Sequence, residues 1–192
     1  MITTELFSIP IFKHNIDLDE DYARFLFSNV KWDKKVPFIS ETKNILSENF
    51  SYLNKEVNLF IRYVMNQMGF HGVDYKIFSS WGTRTNKGGM SMFHRHSNSF
   101  MSGVIYFSDK TSPIFFENPY PVTYSHKSTI YTSSGRKIPI QRGDIIMFPS
   151  TLMHFVTKNE YDVERFSIAF NVVPSGEYGT EDGLIHVNVE NL

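Results

Sequence analysis

Cysteine is absent from the 192 residues of this chain. Its absence excludes disulfides, cysteine-ligated zinc sites and thiol nucleophiles, so histidine and carboxylate side chains are the candidate metal ligands. Long apolar runs are absent too, since no stretch approaches the roughly 20 residues that span a bilayer. Residues 1–12 lack the charged and continuous apolar segments of a signal peptide. We therefore expect a cytoplasmic protein with no membrane partner.

The chain also lacks an excess of charge of either sign. Its 19 basic and 20 acidic residues give a formal net charge of −1. Nucleic-acid-binding domains usually concentrate positive charge, and the composition offers no such field. It therefore gives no support for a nucleic acid partner, and a small molecule or a protein is the expected substrate. The oligomeric state is not predicted.

Aromatic residues are abundant at 16 % of the chain, which favours a sheet-rich fold. From residue 73 onward, short apolar segments alternate with turn sequences rich in Gly, Asn, Asp and Ser. About eight short strands at this spacing are typical of a sandwich or barrel. The predicted strands are Tyr75–Trp81, Phe100–Phe107, Pro113–Glu117, Thr129–Thr132, Lys137–Gln141, Asp144–Phe148, His154–Thr157 and Glu164–Val173.

The first third of the chain predicts helices. Ile9–Phe12 contains a proline and reads as an edge strand, and Asp17–Phe27 as a short helix with acidic residues in its first turn. A longer helix follows, with Ser47 as its N-cap and Gly69 after its last turn. The expected organisation is a single domain over 1–192, comprising an N-terminal strand and helices (1–72), a β core (73–175) and a C-terminal extension (176–192).

His94 and His96 form an H-x-H pattern. Side chains two residues apart on a strand point to the same face, so both imidazoles could converge on one ion. Seven histidines in 192 residues produce this pattern by chance often enough that it is weak evidence alone.

A second histidine site follows a buried-looking strand. The sequence Gly143-Asp-Ile-Ile-Met-Phe-Pro-Ser150 predicts a turn, an apolar strand and a bend before His154. This would bring the His154 imidazole onto a neighbouring strand. A single histidine at such a position is either a metal ligand or, more commonly, a hydrogen-bonded core or rim residue.

The last predicted strand separates polar from apolar side chains. Its even positions are apolar, whereas the odd positions include Arg165, Ser167 and Asn171. If both faces of this strand are covered, an inward arginine needs a partner, and Arg165 with Ser167 would suit a carboxylate. The alternative is that this face is exposed to solvent.

In this order the motifs resemble the 2-oxoglutarate/Fe(II)-dependent oxygenases, most closely a group from bacteria and phages. The resemblance covers roughly residues 75–173. It implies a double-stranded β-helix (a cupin-like jelly roll), Fe(II), 2-oxoglutarate as cosubstrate, O2 and a hydroxylase-type reaction. The matching stretches are His94–Ser99, Ser102–Tyr106, Phe148–Ser150, His154 and Arg165–Asn171.

By position, the resemblance assigns His154 to the distal iron ligand, and Arg165 and Ser167 to the pair that holds the C5 carboxylate of 2-oxoglutarate. Tyr106 matches a tyrosine that often donates a hydrogen bond to the same carboxylate. Asn171 shares the face of Arg165 and is a weaker candidate for the pocket.

The chain departs from the family pattern at one ligand. The usual H-x-D or H-x-E carries a carboxylate where this sequence has His96. The nearest downstream acid, Asp109, lies beyond the next strand and reads as a turn residue. Either His94, His96 and His154 all bind iron, or one of the first two lies outside the ligand set and water takes its place.

Two other functions stay open at this stage. A cupin-type metalloenzyme that does not use 2-oxoglutarate fits Gly143, Pro149 and His154. Cupins, however, usually carry a glutamate four or five residues after H-x-H, where this chain has Phe100 and Met101. A metal-free jelly-roll binding module would leave the histidine pattern without a role.

Overall fold

The structure, a computed structural model, describes residues 8–120, 129 and 132–189. Its helices are α1 (Glu20–Ser28), α2 (Ile45–Glu48) and α3 (Asn54–Gln67), with 3₁₀ turns at Ser51–Leu53 and Glu181–Gly183. Its strands are β1 (Phe12–Asn15), β2 (Asp74–Thr85), β3 (Met101–Tyr106), β4 (Ile114–Glu117), β5 (Gly135–Ile138), β6 (Asp144–Pro149), β7 (His154–Val156), β8 (Arg165–Tyr178) and β9 (Ile185–Val187).

Two antiparallel sheets face each other. The larger sheet has the strand order β1-β6-β3-β8-β2, with β9 added to β8, and the smaller sheet has the order β5-β4-β7. Apolar side chains from both sheets fill the space between them, among them Tyr106 and Phe148 from the larger sheet and Phe116 from the smaller one. This is the predicted double-stranded β-helix.

The helices cover the outer face of the larger sheet. Because side chains alternate along a strand, β3 directs Val104 and Tyr106 to the interior of the barrel and Ile105 outward. The outward cluster joins one stripe of α3, whose buried residues are Val57, Phe60, Ile61, Val64 and Met65. The helical layer thus leaves the interior of the barrel to the functional residues.

Most predicted strands are present. Seven of the eight overlap an observed strand. An N-terminal edge strand is also present in the larger sheet, but β1 covers Phe12–Asn15 rather than the predicted Ile9–Phe12, so Pro10 lies outside it. The fifth starts earlier than predicted, at Gly135, and ends at Ile138 because Pro139 has no N–H for the ladder. The predicted Thr129–Thr132 strand falls partly on residues outside the described ranges, and its two described ends lie in no strand.

The prediction that Ser47 caps the long helix is wrong. Ser47 lies inside the short α2, where its hydroxyl donates to the Asn44 carbonyl at 2.9 Å. The chain then bends so that Phe50 is fully buried with its ring 4.8 Å from that of Phe27, and α3 starts only at Asn54. Tertiary packing of one aromatic side chain therefore outweighs the local capping signal.

The helix ends are otherwise close to those expected. Helix α1 starts at Glu20 rather than Asp17, because Asp19 is its N-cap and accepts a hydrogen bond from the Tyr22 amide at 2.6 Å. Gly69 follows α3 with φ of +87°, as expected for a glycine that ends a helix. No helix in the described ranges is long and apolar enough to cross a bilayer.

Candidate metal centre

Three histidines meet at one end of the barrel interior. The ligand nitrogens of His94, His96 and His154 all lie within 4.8 Å of one another. The ring centroids are 4.4 Å apart for His94 and His154, 5.0 Å for His94 and His96, and 5.4 Å for His96 and His154. The structure thus brings together the three imidazoles that the sequence singled out.

Backbone hydrogen bonds hold these residues in place. His94 and His154 form an isolated antiparallel bridge, and the His96 amide donates to the Ser150 carbonyl at 2.8 Å. The expectation that His94 and His96 lie on a strand is wrong: they belong to the connection between β2 and β3. Their convergence therefore depends on backbone bonds to the segment around β7 rather than on alternation within one strand.

The tautomers of two imidazoles are fixed by their own backbone. The His94 Nδ1 lies 2.7 Å from the Met92 carbonyl oxygen, and the His154 Nδ1 lies 2.8 Å from that of Leu152. A carbonyl only accepts, so each Nδ1 carries the proton and donates it. The Nε2 lone pair of each ring is then free to bind a metal ion.

Burial favours the neutral form of the His96 and His154 rings. Burial lowers the pKa of both His96 and His154 to about 4, and the nearby His94 imidazole acts in the same direction. Neutral imidazole is the form that binds transition metals. A set of three imidazole donors fits a divalent metal such as iron.

No carboxylate belongs to this cluster within the described part of the chain. Asp109, the nearest downstream acid, is largely exposed and forms an ion pair with Arg142 at 3.2 Å, as its reading as a turn residue predicted. The position that usually carries an acid is therefore occupied by His96, whose ring lies with the other two.

Aromatic side chains surround the cluster. The Phe148 ring is 4.6 Å and the Phe116 ring 6.0 Å from the His154 ring, and the Trp81 ring is 5.7 Å from the His96 ring. Sequence analysis did not single out Trp81. The register of the sheet reveals its position, because Trp81 pairs with Ala169 and so shares the face of Arg165 and Ser167.

Arg165 lies in the same interior and has almost no protein partner. The residue is 3 % exposed, and among the described residues the one hydrogen bond found for its side chain runs from Nη1 to the Thr157 carbonyl at 3.3 Å. Burial lowers the pKa of Arg165. No described carboxylate lies within 4 Å of its guanidinium. A buried guanidinium in this state needs an anion.

Tyr106 faces the same space. It pairs across the sheet with Ser167, which stands two residues from Arg165 on the same face. The Tyr106 hydroxyl is fully buried, and no hydrogen-bond partner is found for it among the described residues. Burial also raises the pKa of Tyr106, so the hydroxyl keeps its proton as a donor. A carboxylate between these side chains would satisfy both donors.

The other two candidate side chains are already hydrogen-bonded. The Ser167 hydroxyl lies 2.6 Å from that of Thr83. The Asn171 amide accepts from the Ser102 hydroxyl at 2.8 Å and donates to the Ser79 hydroxyl at 3.2 Å. Both residues share the face of Arg165, and Asn171 connects neighbouring strands through both polar atoms of its amide.

A chain of hydroxyls continues from Asn171 towards the histidines. Ser102 contacts the Ser150 hydroxyl at 2.8 Å, and Ser150 donates to Ser99 at 2.9 Å. The carbonyl of Ser150 also holds His96. Sequence analysis missed this chain, because isolated serines give no signal until the strands that carry them are placed side by side.

One family model matches the central part of the chain. The family model described as "Putative 2OG-Fe(II) oxygenase" matches residues 79–171. No curated protein sequence matches the chain.

Solved structures share the fold at low sequence identity. An oxidoreductase of the 2OG-Fe(II) oxygenase family from Burkholderia pseudomallei is 14 % identical over 80 % of this chain and 76 % of its own, with a TM-score of 0.57. A Pseudomonas putida prolyl-4-hydroxylase is 14 % identical over 88 % and 95 %, with a TM-score of 0.57. Iron-bound HygX from Streptomyces hygroscopicus is 12 % identical over 86 % and 82 %, with a TM-score of 0.59.

HygX has also been solved with nickel and 2-oxoglutarate bound. The family match runs from within β2 to within β8 and includes the three histidines, Tyr106, Arg165 and Ser167. Over residues 79–171, just under half of the chain, the sequence is similar to the family of 2-oxoglutarate- and Fe(II)-dependent oxygenases.

Proposed function

We propose that this chain is a hydroxylase-type oxygenase in which His94, His96 and His154 hold Fe(II), while Arg165 and Tyr106 bind the C5 carboxylate of 2-oxoglutarate. The observation that carries the proposal is the buried, nearly unpartnered guanidinium of Arg165 in the same interior as the three imidazoles. Three imidazoles that can bind a metal ion and a buried guanidinium that needs an anion lie in one barrel. Together they suit a metal ion and a dianionic cosubstrate.

The histidine side chains act through their fixed orientation. The proton on Nδ1 of His94 and of His154 is held by a backbone carbonyl, so neither ring needs to change tautomer when a metal binds. Three neutral ligands leave the full charge of the ion in place. This charge attracts the 2-oxoglutarate dianion more strongly than a site with one carboxylate would.

Arg165 and Tyr106 provide the other half of the cosubstrate site. A guanidinium forms two parallel hydrogen bonds with a carboxylate, and the Tyr106 hydroxyl adds a third donor. Ser167, hydrogen-bonded to Thr83, stands beside them and can also donate. This end of the site fixes the orientation of the cosubstrate relative to the histidines.

When bound, Fe(II) would activate O2, the oxidant of the reaction, and 2-oxoglutarate would supply two electrons as it is converted to succinate and CO2. The chain itself supplies orientation and a dry pocket. Phe116, Phe148 and Leu152 belong to the interior apolar cluster and restrict the access of water next to His154. We propose that they protect the reaction from solvent.

The two alternative functions explain fewer of these features. A cupin-type metalloenzyme would leave Arg165 and the Tyr106 hydroxyl buried without a partner. A metal-free binding module would also leave three imidazoles facing one another without a role. We retain both alternatives only as outcomes of the test below.

We further propose that the substrate is a small molecule or a protein and not a nucleic acid. The near balance of acidic and basic residues supports this choice, because it provides no positive field. We propose the cytoplasm as the site of action, since a compartment that supplies reduced iron and 2-oxoglutarate is required.

Metal analysis and substrate screening test the proposal. Purified protein reconstituted with Fe(II) should bind one ion per chain, and a panel of candidate substrates should include one that triggers release of succinate from 2-oxoglutarate. Metal binding without any effect of 2-oxoglutarate would favour the cupin-type alternative. Failure to bind Fe(II), Co(II) or Zn(II) would favour the metal-free module.

A further inference from the structure

Arg136 on β5 faces the same interior as His154. Phe116 of β4 pairs with Arg136 on one side and with His154 on the other. Residues paired across antiparallel strands project to the same face of the sheet. Phe116 points inward, because its ring packs 4.8 Å from that of Phe148 in the facing sheet. Arg136 therefore lies on the inner face of the smaller sheet.

A neighbouring residue supports this orientation independently. Ile138, two residues along the same strand, packs against the interior apolar cluster. Lys137 lies between them and therefore points to the outer face. Two strand spacings separate Arg136 from His154, which places their Cα atoms about 10 Å apart. A long arginine side chain and a small molecule can together bridge that distance.

No carboxylate of the described residues lies within 4 Å of the Arg136 guanidinium, and the side chain is exposed. Glu117, the nearest acid on β4, pairs with Gly135 and projects to the outer face beside Lys137. On its inner face, this sheet therefore presents a cation at the level of the histidine cluster without a protein anion beside it.

The formal charges of the proposed site also leave an excess of positive charge. Three neutral imidazoles leave a bound Fe(II) with two positive charges, Arg165 adds one, and 2-oxoglutarate brings two negative charges. Asp144 is an acid on the inner face, but Lys13 neutralises it at 2.6 Å. One positive charge remains uncompensated in a largely buried site, which is unfavourable unless another anion is present.

We propose that the substrate carries an anionic group, a carboxylate or a phosphate, and that Arg136 binds this group. The inference rests on the proposed function and adds a substrate class to it. Arg136 is thus a residue that selects the substrate, separate from Arg165, which serves the cosubstrate. An anionic substrate lowers the excess positive charge of the site and of Arg136, and its anionic group is held at the edge of the barrel near His154.

Matched anionic and neutral probes test this assignment. Protein loaded with redox-inactive Zn(II) and saturated with 2-oxoglutarate is titrated with hexanoate, with inorganic phosphate and with hexanamide. Saturation keeps the probes out of the Arg165 site. Binding is followed through the NMR signal of the Trp81 indole, whose ring lies 5.7 Å from that of His96. We expect hexanoate or phosphate to bind measurably and more tightly than hexanamide, with an affinity that falls as salt is added.

Two adjacent cations provide the variant and its control. Arg136→Gln should lower the affinity for the anionic probe about three- to fivefold without changing the affinity for 2-oxoglutarate. Arg136→Lys should keep most of the affinity. Lys137→Gln removes the same charge from the outer face and should have no effect.

Three results would overturn the inference: equal losses in Arg136→Gln and Lys137→Gln, hexanamide binding as tight as that of both anions, or no binding of either anion by the wild type. All three leave the proposed function intact if 2-oxoglutarate still binds. Failure of 2-oxoglutarate to bind the wild-type protein would instead contradict the proposed function, and this inference with it.

Discussion

His94 and His154 exchange both of their backbone hydrogen bonds, at N···O distances of 3.0 and 2.9 Å. The two residues are 60 positions apart in the sequence, yet their main chains form a closed antiparallel pair. Each ring is also held by a carbonyl of its own segment. The candidate metal site is therefore largely built by the fold without an ion, and its three side chains have little conformational freedom to lose on binding one.

Replacement of any of the three histidines should weaken metal binding. We expect His96→Ala to lower the affinity for Co(II) or Zn(II) by more than about 100-fold, since removing a ligand should exceed the 10–100-fold loss typical of an outer partner. His96→Asp, which restores the usual acid, should retain tight binding. Calorimetric titration measures both, with the exposed His71→Ala as the control. Unchanged affinity in His96→Ala would mean that water, and not His96, fills the third position.

The Ser150 hydroxyl should matter for both stability and metal binding. It is buried between the hydroxyls of Ser99 and Ser102, and the carbonyl of the same residue holds His96. Ser150→Ala should cost about 1–3 kcal/mol in the free energy of unfolding. It should also weaken metal affinity about 10- to 100-fold, because the segment that positions His96 loses its anchor.

Ser112→Ala is the matched control for Ser150. Its hydroxyl is also buried and donates to the Lys158 carbonyl at 2.7 Å, away from the histidines. Urea denaturation of the metal-free proteins and metal titration of the native ones separate the two effects. If both variants lose stability and neither loses metal affinity, the serine chain stabilises the fold and has no role in metal binding.

Asp144 should be important for stability rather than for the reaction. It is fully buried and accepts hydrogen bonds from the Asn15 side chain and the Gln141 amide, in addition to its ion pair with Lys13. Asp144→Ala should lower the free energy of unfolding by about 2–4 kcal/mol, less than a fully buried ion pair because Lys13 is partly exposed. Urea denaturation measures this loss. The double variant Lys13→Ala, Asp144→Ala should be no less stable than Asp144→Ala alone. That result would show that Lys13 contributes to stability only through its ion pair with the Asp144 carboxylate.

The faces of the strands were predictable from sequence. Alternation along β8 placed Arg165, Ser167 and Asn171 together, because side chains follow a twofold period wherever one face of a strand is packed against a core. Tyr106 was assigned through the family resemblance, which matches it to a tyrosine near the same carboxylate. The structure confirms that these four side chains share the barrel interior.

Features that depend on tertiary pairing were not predictable. The convergence of His94 with His96 was expected for the wrong reason, since these residues lie outside the strands and are held by β7 and by Ser150. The serine chain and Trp81 become visible only when the register between strands is known. Ser47 carried a valid capping signal that the burial of Phe50 overrode.

The most direct test of the account is the affinity for 2-oxoglutarate when Arg165 is removed. Wild type, Arg165→Ala and Arg84→Ala are loaded with Fe(II) without oxygen and titrated with 2-oxoglutarate, following the metal-to-ligand charge-transfer band. Arg84 is the control, because its guanidinium lies on the outer side, over the Trp32 ring at 4.5 Å. Arg165→Ala should lose about 2–5 kcal/mol of binding free energy for 2-oxoglutarate, or roughly 30- to 5000-fold in affinity. Its iron content should equal that of the wild type, and Arg84→Ala should bind 2-oxoglutarate with wild-type affinity. Equal affinity for 2-oxoglutarate in wild type and Arg165→Ala would contradict the account.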